Sequence, residues 1–135
     1  MLVGDDVVDV LCLPGRAEGE TAIRETLSDG RLVFVLAVVA KHVHSIYETK
    51  GFAAGDELLE AVVRRLTEPP LCAPRIFRWS ATSFIVVSHS LQTVTDCSEI
   101  EGASCALFAA WPNESPRGLF DRIDSYIATH LAYAG

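Results

Sequence analysis

Apolar residues follow two spacings along the chain, and these spacings predict its strands and helices. The longest apolar run, Leu32 to Ala40, is rich in β-branched residues and favours a central strand at 32–39 that is covered on both faces. Between Ala54 and Leu66, apolar residues recur three and four positions apart, which is typical of a helix with one buried face. The same reasoning predicts helices at 17–27, 42–48 and 116–133 and strands at 75–79, 83–88 and 105–111.

The order of these elements is helix, strand, helix, helix, hairpin, strand, helix. Such an order predicts an α+β fold with a mostly antiparallel central sheet covered by helices. The segment Leu91 to Ser104 is polar and weakly patterned, and we interpret it as a loop with at most one helical turn. Because no linker or internal repeat divides the chain, its 135 residues suit a single domain spanning 1–135.

The charge balance restricts the kinds of partner. A net charge of -7, without a basic run, argues against nucleic acid. The longest apolar run is far shorter than the ~20 residues that span a bilayer, so we expect no membrane contact. Residues 1–9 carry acids where an export signal would carry a basic start, which predicts a cytoplasmic location. The cysteines lack the spacing of a zinc site; they are Cys12, Cys72, Cys97 and Cys105.

Three short motifs occur in a fixed order. Leu13 to Arg16 has the sequence Leu-Pro-Gly-Arg, Gly51 to Leu59 has Gly-Phe-Ala-Ala-Gly-Asp-Glu-Leu-Leu, and Arg78 to Phe84 has Arg-Trp-Ser-Ala-Thr-Ser-Phe. This succession resembles the GGDEF family of diguanylate cyclases, whose motifs are Leu-Pro-Asn-Arg, Gly-His-x-x-Gly-Asp-x-x-Leu and Arg-x-Gly-Gly-Asp-Glu-Phe. The resemblance covers about residues 11–131 and implies the palm-like fold of nucleotide cyclases, shortened between Ser88 and Ser104.

The resemblance also implies that the family's catalytic metal site is missing. The family joins two GTP molecules with the help of two metal ions, which need carboxylate ligands. The strand-end aspartate falls on Val39 and the hairpin acids fall on Thr82 and Ser83, while the two hairpin glycines fall on Ser80 and Ala81. We therefore expect no catalytic residue, no metal and no cofactor in this chain.

The positions implied for guanine recognition are also altered. The family's asparagine falls on Tyr47, and only its aspartate is kept, as Asp56. Asp56 has a second interpretation, in which it caps the N-terminus of its helix. The family's inhibitory product site, Arg-x-x-Asp, is replaced by Leu71 to Pro74, which has the sequence Leu-Cys-Ala-Pro.

The sequence thus predicts an inactive GGDEF-like module that regulates or binds another protein in bacterial signalling. We expect its partner to be another protein, a second copy of the chain, or both, and we do not expect a guanine nucleotide. The alternative that stays open is a non-catalytic receptor for GTP or cyclic dimeric GMP. The residues predicted to form a remnant nucleotide site or an interaction surface are Tyr47, Asp56, Trp79, Ser80, Ala81, Thr82 and Ser83.

Overall fold

The computed structural model describes residues 13–68, 75–89 and 102–134, the last four of them through the backbone alone. Along these residues, four helices and four strands follow one another in the order that the apolar pattern predicts. The helices are α1 (Arg16–Ser28), α2 (Val43–Lys50), α3 (Phe52–Thr67) and α4 (Pro116–Ala134), and the strands are β1 (Val33–Ala40), β2 (Ile76–Ser80), β3 (Ser83–Ser88) and β4 (Ala103–Ala110).

The four strands form one antiparallel sheet in the order β2-β3-β1-β4. β1 lies between β3 and β4, which explains its unbroken apolar sequence: side chains on both of its faces are covered. Val39, near the end of β1, pairs with Ser83 on β3 and with Ser104 on β4. The predicted α+β fold with an antiparallel central sheet is confirmed.

Helices cover the two faces of the sheet and form two apolar cores. On one face α1 and α4 pack against the sheet, with Ile23, Leu119 and Ile123 buried there. On the other face α3 contributes Leu59, Val63 and Leu66 to a second cluster, which the α2 residue Val43 also joins. Each fully buried residue of this kind stabilises the fold by roughly 1.5–3 kcal/mol relative to an exposed one.

Most element boundaries lie within one residue of the predicted ones, but α3 and β4 each begin two residues earlier than predicted, directly after a glycine. α3 begins at Phe52, not at Ala54, because Gly51 takes a φ of 89° and ends α2 while starting α3. β4 begins at Ala103, not at Cys105, because the Gly102 carbonyl accepts a 2.8 Å hydrogen bond from the Lys41 N–H and extends the ladder. The rest of the predicted Leu91–Ser104 loop, residues 91–101, lies outside the described residues.

Within the described ranges, every helix falls short of the length and apolar character that a membrane crossing requires.

Candidate functional site

The end of β1 meets the β2-β3 hairpin, and the Leu-Pro-Gly-Arg turn is bonded to the same hairpin. The Ala40 N–H donates to the Thr82 carbonyl at 2.9 Å, and the Arg78 N–H donates to the Pro14 carbonyl at 2.8 Å. The Leu-Pro-Gly-Arg turn, the strand end and the hairpin are thereby held together through their backbones.

Val39 belongs to the apolar core at this junction. Its side chain is 0% exposed and lies in the cluster beneath α1 and α4. Ser83, its partner across the ladder, is also 0% exposed, and its hydroxyl is hydrogen-bonded to that of Ser80. An isopropyl group and a hydroxyl that is already bonded leave no anionic oxygen for a divalent cation at this register position.

The hairpin turn carries side chains without backbone strain. Ala81 and Thr82 connect β2 to β3, and none of the residues from Ser80 to Thr82 has a positive φ. The Arg78 guanidinium donates to the Ala81 carbonyl at 2.7 Å and thereby holds the turn. The ladder shifts register between Arg78 and Ser80, which accommodates the short connection. Glycine is therefore not required at the two positions where the family carries it.

Tyr47 and Asp56 form a second group, on the face covered by α2 and α3. The Tyr47 hydroxyl donates to Asp56 Oδ1 at 3.2 Å. The Tyr47 ring lies so close to Gly55 that a Cβ added there would be 2.0 Å from Tyr47 Cε1. Burial raises the pKa of the Tyr47 phenol, the charge and hydrogen bond of Asp56 raise it further, and the nearby Arg78 opposes them. Tyr47 thus fills the space beside Asp56 and occupies one of its carboxylate oxygens.

The helix-cap interpretation of Asp56 is wrong. α3 begins at Phe52 with Gly51 as its N-cap, so Asp56 lies one full turn inside the helix. Its carboxylate is exposed and has the Tyr47 hydroxyl as a partner. Capping therefore does not account for the aspartate, whose side chain is instead part of the protein surface.

Trp79 lies apart from this surface, although the sequence placed it there. It is only 3% exposed and packs in the core with Phe120, their ring centroids 5.8 Å apart. Its indole N–H donates to Asp124 Oδ1 at 2.7 Å, and the Arg16 guanidinium stacks on its ring at 4.3 Å. The buried indole cannot contact a partner.

Arg16 and Asp124 complete an electrostatic clasp around Trp79. The guanidinium donates to both carboxylate oxygens at 2.8 Å, which ties α1 to α4. The hydrogen bond to Asp124 is the largest cause of the raised pKa of Arg16. Burial alone would raise the pKa of Asp124, but the hydrogen bonds from Arg16 and Trp79 outweigh burial and hold that pKa below its usual value.

Sequence reasoning missed Phe52, the residue that stands out most on this surface. Its side chain is 77% exposed and its ring contacts that of Tyr47, with centroids 5.2 Å apart and planes at 53°. The only sequence signal was an aromatic residue directly after a helix-breaking glycine. Phe52 and Asp56 are four residues apart on α3 and therefore share one side of that helix.

Comparison with known proteins identifies the fold. No family model and no curated protein matches the sequence. Among solved structures, the GGDEF domain of DgcB from Caulobacter crescentus, in complex with c-di-GMP, superposes with a TM-score of 0.65 at 15% identity, over 93% of this chain and 86% of that chain. The chain has the GGDEF-domain fold. The GGDEF domain of YfiN (TpbB) from Pseudomonas aeruginosa gives a TM-score of 0.68 at 17% identity, over 95% of this chain and 90% of that chain.

A third neighbour with this fold is part of a larger protein. LapD from Vibrio cholerae, solved as an S helix-GGDEF-EAL structure bound to c-di-GMP, superposes with a TM-score of 0.65 at 20% identity. The match covers 93% of this chain and 34% of that chain. The predicted palm-like GGDEF fold of this chain is therefore confirmed. It is shared with isolated GGDEF domains and with a GGDEF domain that is part of a multidomain chain.

The predicted partners need a correction. The prediction that guanine nucleotides are not ligands rested on the altered base positions, and it is contradicted by two structures of DgcB solved in complex with c-di-GMP. A further structure describes an interaction mode between a microbial GGDEF domain and the same dinucleotide. Domains of this fold do bind a guanine dinucleotide, so guanine nucleotides belong among the candidate ligands of this chain.

Proposed function

We propose that this domain is a non-catalytic regulatory module of bacterial signalling, built on the GGDEF fold and acting by binding. The observation that carries the proposal is the complete burial of Val39 in the apolar core, where the family resemblance requires a metal-binding aspartate. The fold is kept, but the aspartate that binds the catalytic metal ions in the family is replaced by a buried valine.

The remaining residues of the junction support this proposal. Thr82 and Ser83 replace the hairpin acids, and the Ser83 hydroxyl is buried against Ser80. Magnesium takes oxygen ligands in a nearly octahedral arrangement and is usually held by one or two carboxylates together with water and substrate phosphates. The side chains that the resemblance assigns to metal binding therefore do not fit a pair of divalent cations, and we derive no step through them.

The test is product formation from GTP. Purified protein is incubated with GTP and either magnesium or manganese, and the mixture is analysed by mass spectrometry for cyclic dimeric GMP. An active diguanylate cyclase serves as the positive control, and a reaction without protein sets the blank. We expect no product above the blank. Sustained, protein-dependent formation of cyclic dimeric GMP would overturn the proposal.

A second candidate is a non-catalytic receptor for a guanine nucleotide. Its support is the exposed Asp56 carboxylate, together with the c-di-GMP that is bound in solved domains of this fold. Calorimetric titration with GTP, GDP and cyclic dimeric GMP tests it, with Asp56→Asn as the site variant and Glu57→Gln as a matched control at a neighbouring exposed carboxylate. Saturable binding that only Asp56→Asn weakens supports this candidate. Absence of binding at millimolar ligand eliminates it.

A further inference from the structure

The surface formed by Phe52, Tyr47 and Asp56 combines an open aromatic face with a carboxylate. Phe52 is 77% exposed, and its ring is steadied by contact with that of Tyr47. The Tyr47 hydroxyl donates to Asp56 Oδ1, and the Asp56 side chain is exposed to solvent. An aromatic face beside a fixed carboxylate is suited to a planar cation that can both stack and donate paired hydrogen bonds.

A similar pairing of an aromatic side chain with a carboxylate occurs elsewhere in the molecule, and there it binds an arginine. At the α1-α4 clasp, Asp124 accepts a hydrogen bond from the polar edge of Trp79, just as Asp56 accepts one from the polar tip of Tyr47. There the arrangement is completed by Arg16, whose guanidinium lies 4.3 Å from the Trp79 ring centroid and donates to both oxygens of Asp124. A guanidinium can thus stack on an aromatic ring and at the same time donate to a carboxylate that is hydrogen-bonded to that aromatic side chain.

No cation of the described residues completes the arrangement at Phe52. Within 13–68, 75–89 and 102–130, the cation-π contacts are those of Arg16 with Trp79 and of Arg24 with Phe120. Across the same ranges Asp56 takes part in no ion pair. Arg78 is near enough to influence Tyr47, but its guanidinium is bound to the Ala81 carbonyl.

We propose that the Phe52-Tyr47-Asp56 surface docks an arginine side chain of a partner protein, which stacks on Phe52 and donates to the Asp56 carboxylate. The proposal rests on the proposed function, since it assigns the kind of partner that a binding module of this fold would take. Charge complementarity supports it: the chain carries a net charge of -7, and Glu60 follows Phe52 and Asp56 at the next turn of α3. Lysine fits less well, because its compact ammonium does not stack and cannot bind a carboxylate through two parallel donors.

The test is a titration of the isotope-labelled protein followed by nuclear magnetic resonance. The probe is the capped peptide acetyl-Gly-Arg-Gly-amide, and its counterpart with citrulline in place of arginine is the neutral control of nearly equal shape. We expect the arginine peptide to shift the backbone signals of 52–56 saturably and the citrulline peptide to bind about tenfold more weakly. Guanosine monophosphate is titrated in parallel, because a guanine edge also offers a flat face and paired donors.

Two matched pairs of variants locate the effect. Phe52→Ala should weaken binding of the arginine peptide about three- to fivefold, whereas Trp111→Ala, at an aromatic residue that is 61% exposed, should leave it unchanged. Asp56→Asn should weaken it about tenfold, and Glu57→Gln, at the adjacent exposed carboxylate, should not. The variant spectra also report whether each protein remains folded.

The remaining outcomes overturn the proposal. These are shifts that do not saturate at millimolar peptide, shifts that spread over other acidic parts of the chain, or equal binding by Phe52→Ala. Tighter binding of guanosine monophosphate than of the arginine peptide at 52–56 would assign the surface to a nucleobase instead. Each result is separable from failure of the proposed function, which is decided by product formation from GTP and not by this titration.

Discussion

Replacing Val39 by aspartate tests whether the end of β1 is part of the apolar core. The side chain is 0% exposed and lies opposite Ser83 across the ladder. Val39→Asp forfeits about 1.5–3 kcal/mol of apolar burial. It also buries a carboxyl group, which costs about 1–3 kcal/mol even when neutral. We therefore expect the free energy of unfolding to fall by about 3–5 kcal/mol, a large share of the roughly 5–15 kcal/mol of an ordinary domain.

The assay is urea unfolding followed by circular dichroism, at neutral and at mildly acidic pH. Burial raises the pKa of a new carboxyl group above its value in the unfolded chain, so the folded state favours the neutral form. The destabilisation should therefore be smallest below the unfolded pKa and grow as the pH rises through the folded pKa. Val39→Thr is the shape-matched control and should cost only about 1–2 kcal/mol, because its hydroxyl is smaller and uncharged.

Two results would refute this reasoning. One is a cost for Val39→Asp below about 1 kcal/mol at neutral pH, which would mean that the position is hydrated and not part of the core. The other is a gain in stability when millimolar magnesium is added to Val39→Asp but not to the original protein. Such a gain would show that a single carboxylate restores a metal site, and that the surrounding residues are still arranged for one.

Three further changes probe the other contacts. Gly55→Ala places a Cβ 2.0 Å from the Tyr47 ring and should lower the free energy of unfolding by about 1–2 kcal/mol, measured by urea unfolding; an unchanged value would mean that the ring moves aside freely. A double-mutant cycle of Arg16→Ala with Asp124→Asn should give a coupling of about 1 kcal/mol, since both side chains are partly exposed. The pKa of Asp124 is lowered in the folded state, so this coupling should be present above the unfolded pKa of about 3.9 and lost as the pH falls further; a coupling that persists in acid would contradict the ion pair. His42 has a φ of 64°, and His42→Gly should raise the melting temperature because glycine relieves about 1 kcal/mol of strain; a lower melting temperature would disprove strain there.

Much of the fold could be predicted because local patterns determine it. β1 is apolar at every position since it is covered on both faces, and the spacing of Leu59, Val62 and Val63 defines the buried side of α3. The boundaries were less predictable. They depend on backbone angles at Gly51 and Gly102, and a glycine in a sequence does not reveal which angle it adopts.

The candidate site was only partly predictable, because its contacts join distant elements. Trp79 was placed on the surface since nothing near it in the sequence indicates Asp124, 45 residues away, as its hydrogen-bond partner. The pairing of Tyr47 with Asp56 depends on how α2 and α3 cross at Gly51. The exposure of Phe52 follows from the same chain reversal, which no apolar periodicity indicates.

We expect the hairpin turn and the end of β1 to hold no divalent cation beside a nucleotide. Electron paramagnetic resonance of manganese, titrated with protein in the presence of a non-hydrolysable GTP analogue, measures such binding. We predict a manganese signal that the protein leaves unchanged from that of the nucleotide complex alone. A protein-dependent population of one or two bound manganese ions per chain, lost on competition with magnesium, would contradict the claim.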